Sequence, residues 1–168
     1  MSRRWLIGNA LWLQAGWWIC VLGAHRPWLL VIVPIGLALH LRYCQDRGAE
    51  VRALVRVTLA GCVMDSALGA LGVFAFVQWP LPLWLALLWL VLASGLRHSL
   101  AWAARPVWLG ALLGMLGGPL AYLAGARLAG VTLPMGVIPT AIVLGMIWTL
   151  VFPLALRVAL RPNPDPNP

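Results

Sequence analysis

The sequence contains no lysine, and only four of its 168 residues are acidic. Charged residues make up 10% of the chain, whereas ordinary soluble domains contain about 25%. This scarcity excludes an ordinary globular domain, and the long uncharged apolar runs indicate a membrane protein with several spans. The twelve arginines lie at the ends of those runs and form no single patch. We therefore expect no nucleic-acid partner.

Cysteine is also scarce. Cys20, Cys44 and Cys62 are odd in number, and none belongs to a CxxC pair. Cys20 and Cys62 lie inside apolar runs, where a thiol usually acts as a small hydrophobic side chain. No HxxxH or HExxH spacing occurs either. The sequence therefore predicts no disulfide framework, no metal site and no cofactor.

Six apolar runs predict an all-α fold, a polytopic membrane protein built as one bundle of six transmembrane helices within residues 1–160. The predicted helices cover approximately residues 5–23, 28–43, 54–77, 83–102, 106–128 and 134–160. Residues 161–168 alternate proline with polar residues, which predicts a disordered tail.

The positions of the arginines predict the orientation of this bundle. With a cytoplasmic N-terminus, ten arginines lie inside and only Arg26 and Arg127 lie outside. Cytoplasmic loops of membrane proteins carry such an excess of basic residues. We therefore expect a multi-pass protein of the bacterial inner membrane with both termini in the cytoplasm. Membrane lipids are the expected partners, and a homo-oligomer or a membrane-protein partner is left open.

Asp65 is the single charged residue between Arg56 and Arg97. A charge in a transmembrane helix costs about 2.5–3.5 kcal/mol on insertion scales, so such residues usually face protein or water. Counting about 1.5 Å per residue from Arg56 places Asp65 near the midplane of the bilayer, level with Gln14. Two interpretations stay open: a carboxylate that carries a proton or binds a cation, and a structural carboxylic acid bonded to Gln14, His98 or a backbone carbonyl.

Asp65 and His98 are the candidate catalytic residues. His98 follows Arg97 at the predicted end of the fourth helix, where it could act as a general base or reach water at the interface. The predicted interior polar cluster, which could also bind a ligand, consists of Asn9, Gln14, Asp65, Ser66, His98, Ser99 and Tyr122.

The fifth predicted helix is rich in glycine. Gly110, Gly114 and Gly118 are four residues apart and form a smooth face for close helix packing. Pro119 removes a backbone hydrogen bond and should kink the helix. Tight packing is the favoured interpretation, and a ligand cavity lined by the kink and Tyr122 is the alternative. The residues assigned to packing are Gly110, Gly114, Gly117, Gly118 and Pro119.

Four segments taken in order resemble one family of uncharacterised bacterial membrane proteins, DUF2878. They are Asn9, Gln14 and Trp17 in the first helix, Met64-Asp65-Ser66, Arg97-His98-Ser99, and the run from Gly117 to Gly125. The resemblance covers the whole chain apart from the proline-rich tail. It implies a membrane location and a lipid-linked role, and it implies no particular reaction.

The favoured function is that of an accessory protein in lipid or envelope metabolism, with a polar interior around Asp65. One alternative is an enzyme acting on a lipid-phase substrate, which requires Asp65 and His98 at hydrogen-bond distance beside a cavity. Another is a small proton-coupled transporter, which requires a polar cavity from Asp65 towards both faces. A satisfied Asp65 in a packed interior without a cavity would favour the accessory function.

Overall fold

The computed structural model describes residues 2–161, and its fold over that range is all-helical. The predicted bundle of six helices is confirmed. The predicted disordered tail lies outside the described residues, apart from Arg161. The helices are α1 Arg3–Gly23, α2 Ile32–Tyr43, α3 Arg47–Ala70, α4 Leu83–Leu96, α5 Val107–Ala129 and α6 Val137–Ala159. Short 3-10 helices, Pro27–Val31 and Ala101–Ala104, precede α2 and α5.

The six helices differ in their ability to cross a membrane. By length and composition, α1, α3, α5 and α6 are long and apolar enough to do so. The apolar segment Pro27–Tyr43 and α4 are shorter. With a rise of about 1.5 Å per residue, α4 spans roughly 21 Å, which is less than the roughly 30 Å of a bilayer core.

The third helix is displaced towards the N-terminus relative to the predicted range 54–77. It begins at Arg47 because the side chain of Asp46 caps it, with Oδ1 accepting from the Ala49 N–H at 2.8 Å. It ends at Ala70, and Gly72 follows with φ at 77°, a conformation that glycine adopts without strain. The polar stretch expected as a loop therefore forms the first turns of α3.

The fourth helix is also shorter than its predicted range 83–102. It ends at Leu96, and the carbonyl of Gly95 then accepts the N–H groups of both His98 and Leu100 at 3.0 Å. The chain continues into a 3-10 turn instead of extending the α-helix.

One end of the bundle gathers the start of α3 and the ends of α2, α4 and α6. Arg47 Nη2 donates to the carbonyl of Arg42 at 3.0 Å, and Arg97 Nη1 donates to the carbonyl of Ala159 at 2.7 Å. We call this the arginine-rich end. Both arginines supply donors to carbonyls at or just before the ends of helices, where no intrahelical partner exists.

The opposite end gathers the turn after α1, the end of α5 and two connecting segments. His25 Nε2 lies 2.9 Å from the carbonyl oxygen of Leu128. The N–H of Ala75, after α3, donates to the carbonyl of Thr132, before α6, at 3.0 Å. Successive helices therefore alternate in direction, as the predicted topology requires.

The glycine-rich face of α5 packs against α6. A Cβ atom at Gly114 would overlap the backbone oxygen of Trp148, and one at Gly118 would overlap the Trp148 side chain. At Gly110, a Cβ would lie 2.8 Å from the backbone oxygen of Ala103. Gly117 is different, because a Cβ there would have no neighbour within 4 Å. Gly110, Gly114 and Gly118 thus set how closely α5 approaches its neighbours.

This difference predicts opposite outcomes for two alanine substitutions in α5. Gly114→Ala should destabilise the protein by about 1–3 kcal/mol, because the added methyl group meets the α6 backbone. Gly117→Ala should leave stability unchanged or raise it, because alanine favours helix and the site is open. Thermal unfolding in detergent measures both, and equal losses would contradict the proposed contact.

Candidate functional site

Asp65 is fully buried and bonded by two neighbouring helices. Trp89 Nε1 on α4 donates to Oδ2 of Asp65 at 2.7 Å. The Tyr122 hydroxyl on α5 lies 2.7 Å from Oδ1 and 2.9 Å from Oδ2. We call Asp65, Trp89 and Tyr122 the Asp65 cluster. It joins α3, α4 and α5 through a carboxylate that has a donor at each oxygen.

Small and aromatic neighbours position the two donors. Gly61 lies one turn before Asp65, and a Cβ there would overlap the indole of Trp89, so glycine lets that ring lie against α3. On its other side, Trp89 stacks on Trp148 with centroids 5.5 Å apart and planes at 11°. Tyr122 stacks on Phe74 at 5.6 Å and contacts Trp148 at 5.7 Å.

A cavity of about 510 Å³ adjoins the Asp65 cluster. It lies between α1 and α4 on one side and α5 on the other, with α6 behind it, and Trp89 and Tyr122 form part of its wall. Other lining residues are predominantly apolar: they include Leu13, Trp17, Phe74, Leu88, Leu92, Leu113, Ala121, Trp148 and Phe152. Its volume lies within the range of about 300–1,000 Å³ typical of small-molecule sites.

Several residues in the wall of the cavity are exposed at the protein surface. Leu113 on α5 lines it and is 36% exposed, and Trp102, which also lines it, is 59% exposed. α1 and α5 approach at Gly125, where a Cβ would lie 3.7 Å from Val21. Gly117 also lines the cavity and has open space beside it. Leu113 and Gly117 belong to α5, which is one of the helices long and apolar enough to cross a membrane.

Two indole N–H groups in the cavity wall are buried without a partner among the described residues. They belong to Trp17 on α1 and Trp148 on α6. A buried donor without an acceptor costs about 1–3 kcal/mol. Neither nitrogen has accessible surface, so a ligand oxygen could reach it only after the ring turns towards the cavity.

A second buried carboxylate, Glu50, lies at the arginine-rich end and is 1% exposed. His40 Nε2 lies 2.9 Å from its Oε1. His98 Nε2 and Arg97 Nε lie 3.1 and 3.2 Å from Oε2. With Cys44, these residues form what we call the Glu50 cluster, which connects α2, α3 and the segment after α4.

Cys44 completes this cluster. Its Sγ lies 3.5 Å from His40 Nε2 and 3.7 Å from His98 Nε2. Burial, with a further contribution from the charge of Glu50, raises the pKa of the Cys44 thiol to about 11. The donor atoms of His40, Cys44, Glu50 and His98 all lie within 4.8 Å of one another, so they could hold a metal ion.

A polar network near this end joins α1 to α4. Asn9 Nδ2 donates to the carbonyl of Ser94 at 3.0 Å, and its Oδ1 accepts from the Ser99 hydroxyl at 2.6 Å. Trp12 Nε1 donates to the Ser94 hydroxyl at 3.1 Å. The network satisfies polar groups inside the bundle and places Ser99 at the wall of the cavity.

The predicted interior residues therefore fall into separate groups. Asp65 and His98 do not meet: His98 contacts Glu50, which is 15 residues, or roughly 22 Å, from Asp65 along α3. Neither Gln14 nor His98, which one of the two open interpretations offered as partners, bonds to Asp65, because Trp89 and Tyr122 occupy both oxygens. Gln14 lines the cavity, and Ser66 is half-buried on α3.

Sequence reasoning missed Trp89, Glu50, His40 and Cys44 as site residues. Trp89 was not among the candidate residues, although Gly61, four residues before Asp65, leaves room on α3 for a large partner side chain. His40 and Cys44 are four residues apart, which places both on one face of a helix end. The expectation of no metal site depended on two-histidine motifs, and here the second histidine comes from a distant segment.

Comparison with protein families gives a match over residues 6–154 to the family described as "Protein of unknown function (DUF2878)". The chain belongs to this family. The resemblance expected from the sequence is thereby confirmed. No curated protein and no solved structure matches the chain. The DUF2878 match extends from α1 into α6 and includes both the Asp65 cluster and the Glu50 cluster.

The geometry predicts a structural cost for removing the second oxygen of Asp65. In Asp65→Asn, the amide oxygen can keep the Trp89 donor, but the NH2 group then faces Tyr122, whose hydroxyl must turn to accept and loses its own acceptor, so the protein should lose about 1–3 kcal/mol of stability. Val63→Ala is the matched control on the same helix, since Val63 is 70% exposed. Thermal unfolding in detergent compares the two, and an Asp65→Asn variant as stable as Val63→Ala would contradict these bonds.

Proposed function

We propose that this DUF2878 protein is a membrane-embedded accessory protein of lipid or envelope metabolism that binds a lipid in the cavity beside the Asp65 cluster. The observation that carries this proposal is the cavity of about 510 Å³ whose wall includes Leu113, an exposed residue of α5. Because α5 is long and apolar enough to cross a membrane, we infer that this part of the wall faces the acyl chains of the bilayer. A membrane lipid is therefore the molecule that meets it.

The cavity wall specifies the chemistry of the ligand. Its predominantly apolar surface suits a hydrocarbon chain. Trp17 and Trp148 also line the cavity, and their N–H groups have no partner among the described residues, so either ring would gain a hydrogen bond by turning towards an acceptor on the same molecule. A lipid chain attached to an ester or carboxyl carbonyl combines both properties.

The arrangement supports binding rather than catalysis by Asp65 and His98. Both oxygens of Asp65 are engaged, and His98 lies with Glu50 roughly 22 Å away along α3. A transporter would need a polar route past Asp65, whereas the side chains around the cavity are predominantly apolar. A polar interior with a satisfied Asp65 fits the accessory function. The cavity was not expected for that function, and it supplies the lipid-binding element of the proposal.

We place the protein in the bacterial inner membrane with both termini in the cytoplasm. The support is that Arg42, Arg47 and Arg97 gather at one end of the bundle, which also contains the start of α1 and the end of α6. The opposite end contains Arg26, in the turn after α1, and Arg127, in the last turn of α5. The basic residues thus favour the first end as cytoplasmic.

Photocrosslinking tests the lipid site. A monoacylglycerol with a diazirine in its acyl chain should label cavity residues such as Leu88 and Ala121 in the detergent-purified protein. Gly117→Trp should abolish this labelling, because the new ring enters the cavity. Ile138→Trp is the control, since Ile138 is exposed on α6 away from the cavity. Labelling spread evenly over the apolar surface and unchanged in Gly117→Trp would overturn the proposal.

The unpaired indole of Trp148 can be tested with a second probe. Trp148→Phe keeps an aromatic ring and removes one hydrogen-bond donor. The apparent affinity for monoacylglycerol, measured by labelling at increasing probe concentration, should therefore fall by roughly fivefold, the equivalent of one hydrogen bond. An alkane with the same diazirine and no acceptor should label wild type and variant alike. Equal losses for both probes would mean that Trp148 only shapes the cavity.

Reporter fusions test the proposed topology. Alkaline phosphatase, which is active outside the cytoplasm, should be active when fused after Val77, in the connection between α3 and α4, and inactive after Arg161. Fluorescent-protein fusions at the same two positions should give the reverse pattern. Activity after Arg161 would place the arginine-rich end outside and contradict the orientation.

A further inference from the structure

We propose that His40, Cys44, Glu50 and His98 form a zinc-binding site at the arginine-rich end of the bundle. Two histidine nitrogens, one sulfur and one carboxylate oxygen are the ligand atoms that Zn²⁺ takes in proteins. These four side chains come from the end of α2, the segment after it, the first turn of α3 and the segment after α4. Their donor atoms lie within 4.8 Å of one another.

The distances between the donor atoms fit tetrahedral coordination. Bonds of about 2.0–2.3 Å around a tetrahedral ion hold neighbouring ligand atoms about 3.3–3.8 Å apart. Cys44 Sγ lies 3.5 and 3.7 Å from the two histidine Nε2 atoms. His40 Nε2 lies 2.9 Å from Glu50 Oε1, which is slightly short, and His98 Nε2 lies 3.1 Å from the other oxygen, Oε2. Zinc binding therefore requires the Glu50 carboxylate to move back by a few tenths of an ångström.

Zinc fits this donor set better than the other common metals. Magnesium and calcium prefer sites made of oxygen ligands, and two imidazoles with a thiol do not provide one. Copper sites with two histidines and one cysteine use a long, weak fourth ligand. Here the fourth ligand is not distant, because the Glu50 carboxylate lies closer to both histidine Nε2 atoms than the Cys44 sulfur does. Four protein ligands close the coordination sphere, which is the pattern of structural zinc.

Arg97 holds the second oxygen of the carboxylate. Glu50 Oε1 faces His40, and Oε2 faces both His98 and the Nε of Arg97 at 3.2 Å. With zinc on Oε1, Oε2 keeps Arg97 as its partner. A ligating carboxylate commonly has such an outer hydrogen bond. Arg97 is thus a positioning residue, itself fixed by the carbonyl of Ala159.

Trp5 favours the tautomer of His98 that cannot bind zinc through Nε2. Its Nε1 donates to His98 Nδ1 at 3.2 Å, so the neutral ring carries its proton on Nε2, where it faces Glu50. Zinc on Nε2 moves that proton to Nδ1, and the Trp5 N–H then loses its acceptor. Trp5 is half-buried and close to the start of α1, which leaves its ring room to turn.

An aqueous route leads to the proposed site. A cavity of about 430 Å³ adjoins the cluster, and Ser2, Tyr43, Gln45 and Asp46 line it together with the cluster residues. Gln45 and Asp46 lie on the exposed segment between α2 and α3. Zinc can therefore enter from solution at the arginine-rich end, away from the apolar cavity beside Asp65.

Cobalt substitution tests the proposal on the full-length protein in detergent. After treatment with a chelator, wild type should bind one Co²⁺ per chain, with the intense visible bands of a tetrahedral ion and a sulfur-to-cobalt charge-transfer band. Zinc should displace the cobalt. Absence of the tetrahedral bands, or of the charge-transfer band, would overturn the four-ligand assignment.

Two pairs of variants locate the ligands. Cys44→Ser should lose the charge-transfer band, and His40→Ala should weaken binding by at least about tenfold, since even outer partners of metal ligands contribute that much. The matched controls are Cys62→Ser and His25→Ala, because Cys62 lies on α3 outside the cluster and His25 bonds at the opposite end. Binding that persists unchanged in Cys44→Ser and His40→Ala would show an unrelated metal site.

Trp5→Phe separates the metal site from a purely structural network. This variant keeps an aromatic ring against His40 and removes the competing donor, so zinc affinity should rise several-fold. A structural network without a metal would instead lose stability and gain no affinity. Unchanged or weaker zinc binding in Trp5→Phe would exclude His98 as a ligand. Since Trp5 lies away from the lipid cavity, lipid labelling should be unaffected, so this proposal and the proposed function fail independently.

Discussion

A carboxylate inside an apolar bundle must be bonded by other parts of the same protein, and this constraint organises the whole molecule. Asp65 takes donors from α4 and α5, and Glu50 takes them from α2 and from the segment after α4. Each carboxylate thereby connects three parts of the chain. Trp89, a partner of Asp65, lies near the middle of α4, and Arg97 and His98, partners of Glu50, directly follow its end. α4 is short, and these contacts hold it at both places.

Much of the fold could be predicted from the sequence, because apolar runs and arginine positions report directly on helices and their direction. The start of α3 could not be predicted in the same way. Its first turns are polar, which indicates a loop when each segment is considered alone. In the folded chain, Glu50 is buried by side chains from α2 and α4, and the cap at Asp46 begins the helix seven residues earlier than its predicted start at 54.

The candidate site was predictable only in part, for a physical reason. The cost of a buried charge identifies Asp65 from the sequence, and a polar interior around it follows. Its partners depend on which helices adjoin. Tyr122 was among the candidates, whereas Trp89 resembles any other tryptophan of an apolar run until Gly61 brings it onto α3. His98 was also among the candidates, but its neighbours are Glu50 and Cys44, which lie far from it in sequence.

The short helices have a consequence for the surrounding bilayer. The two short helices, α2 and α4, contact each other. The long helices α5 and α6, each with 23 residues, form a separate contacting pair. Hydrocarbon next to α2 and α4 must thin to match them, and that next to α5 and α6 need not. A bilayer around the protein would therefore vary in thickness along the perimeter of the bundle. α4 also lines the cavity beside the Asp65 cluster, so one wall of that cavity would border the thinner hydrocarbon.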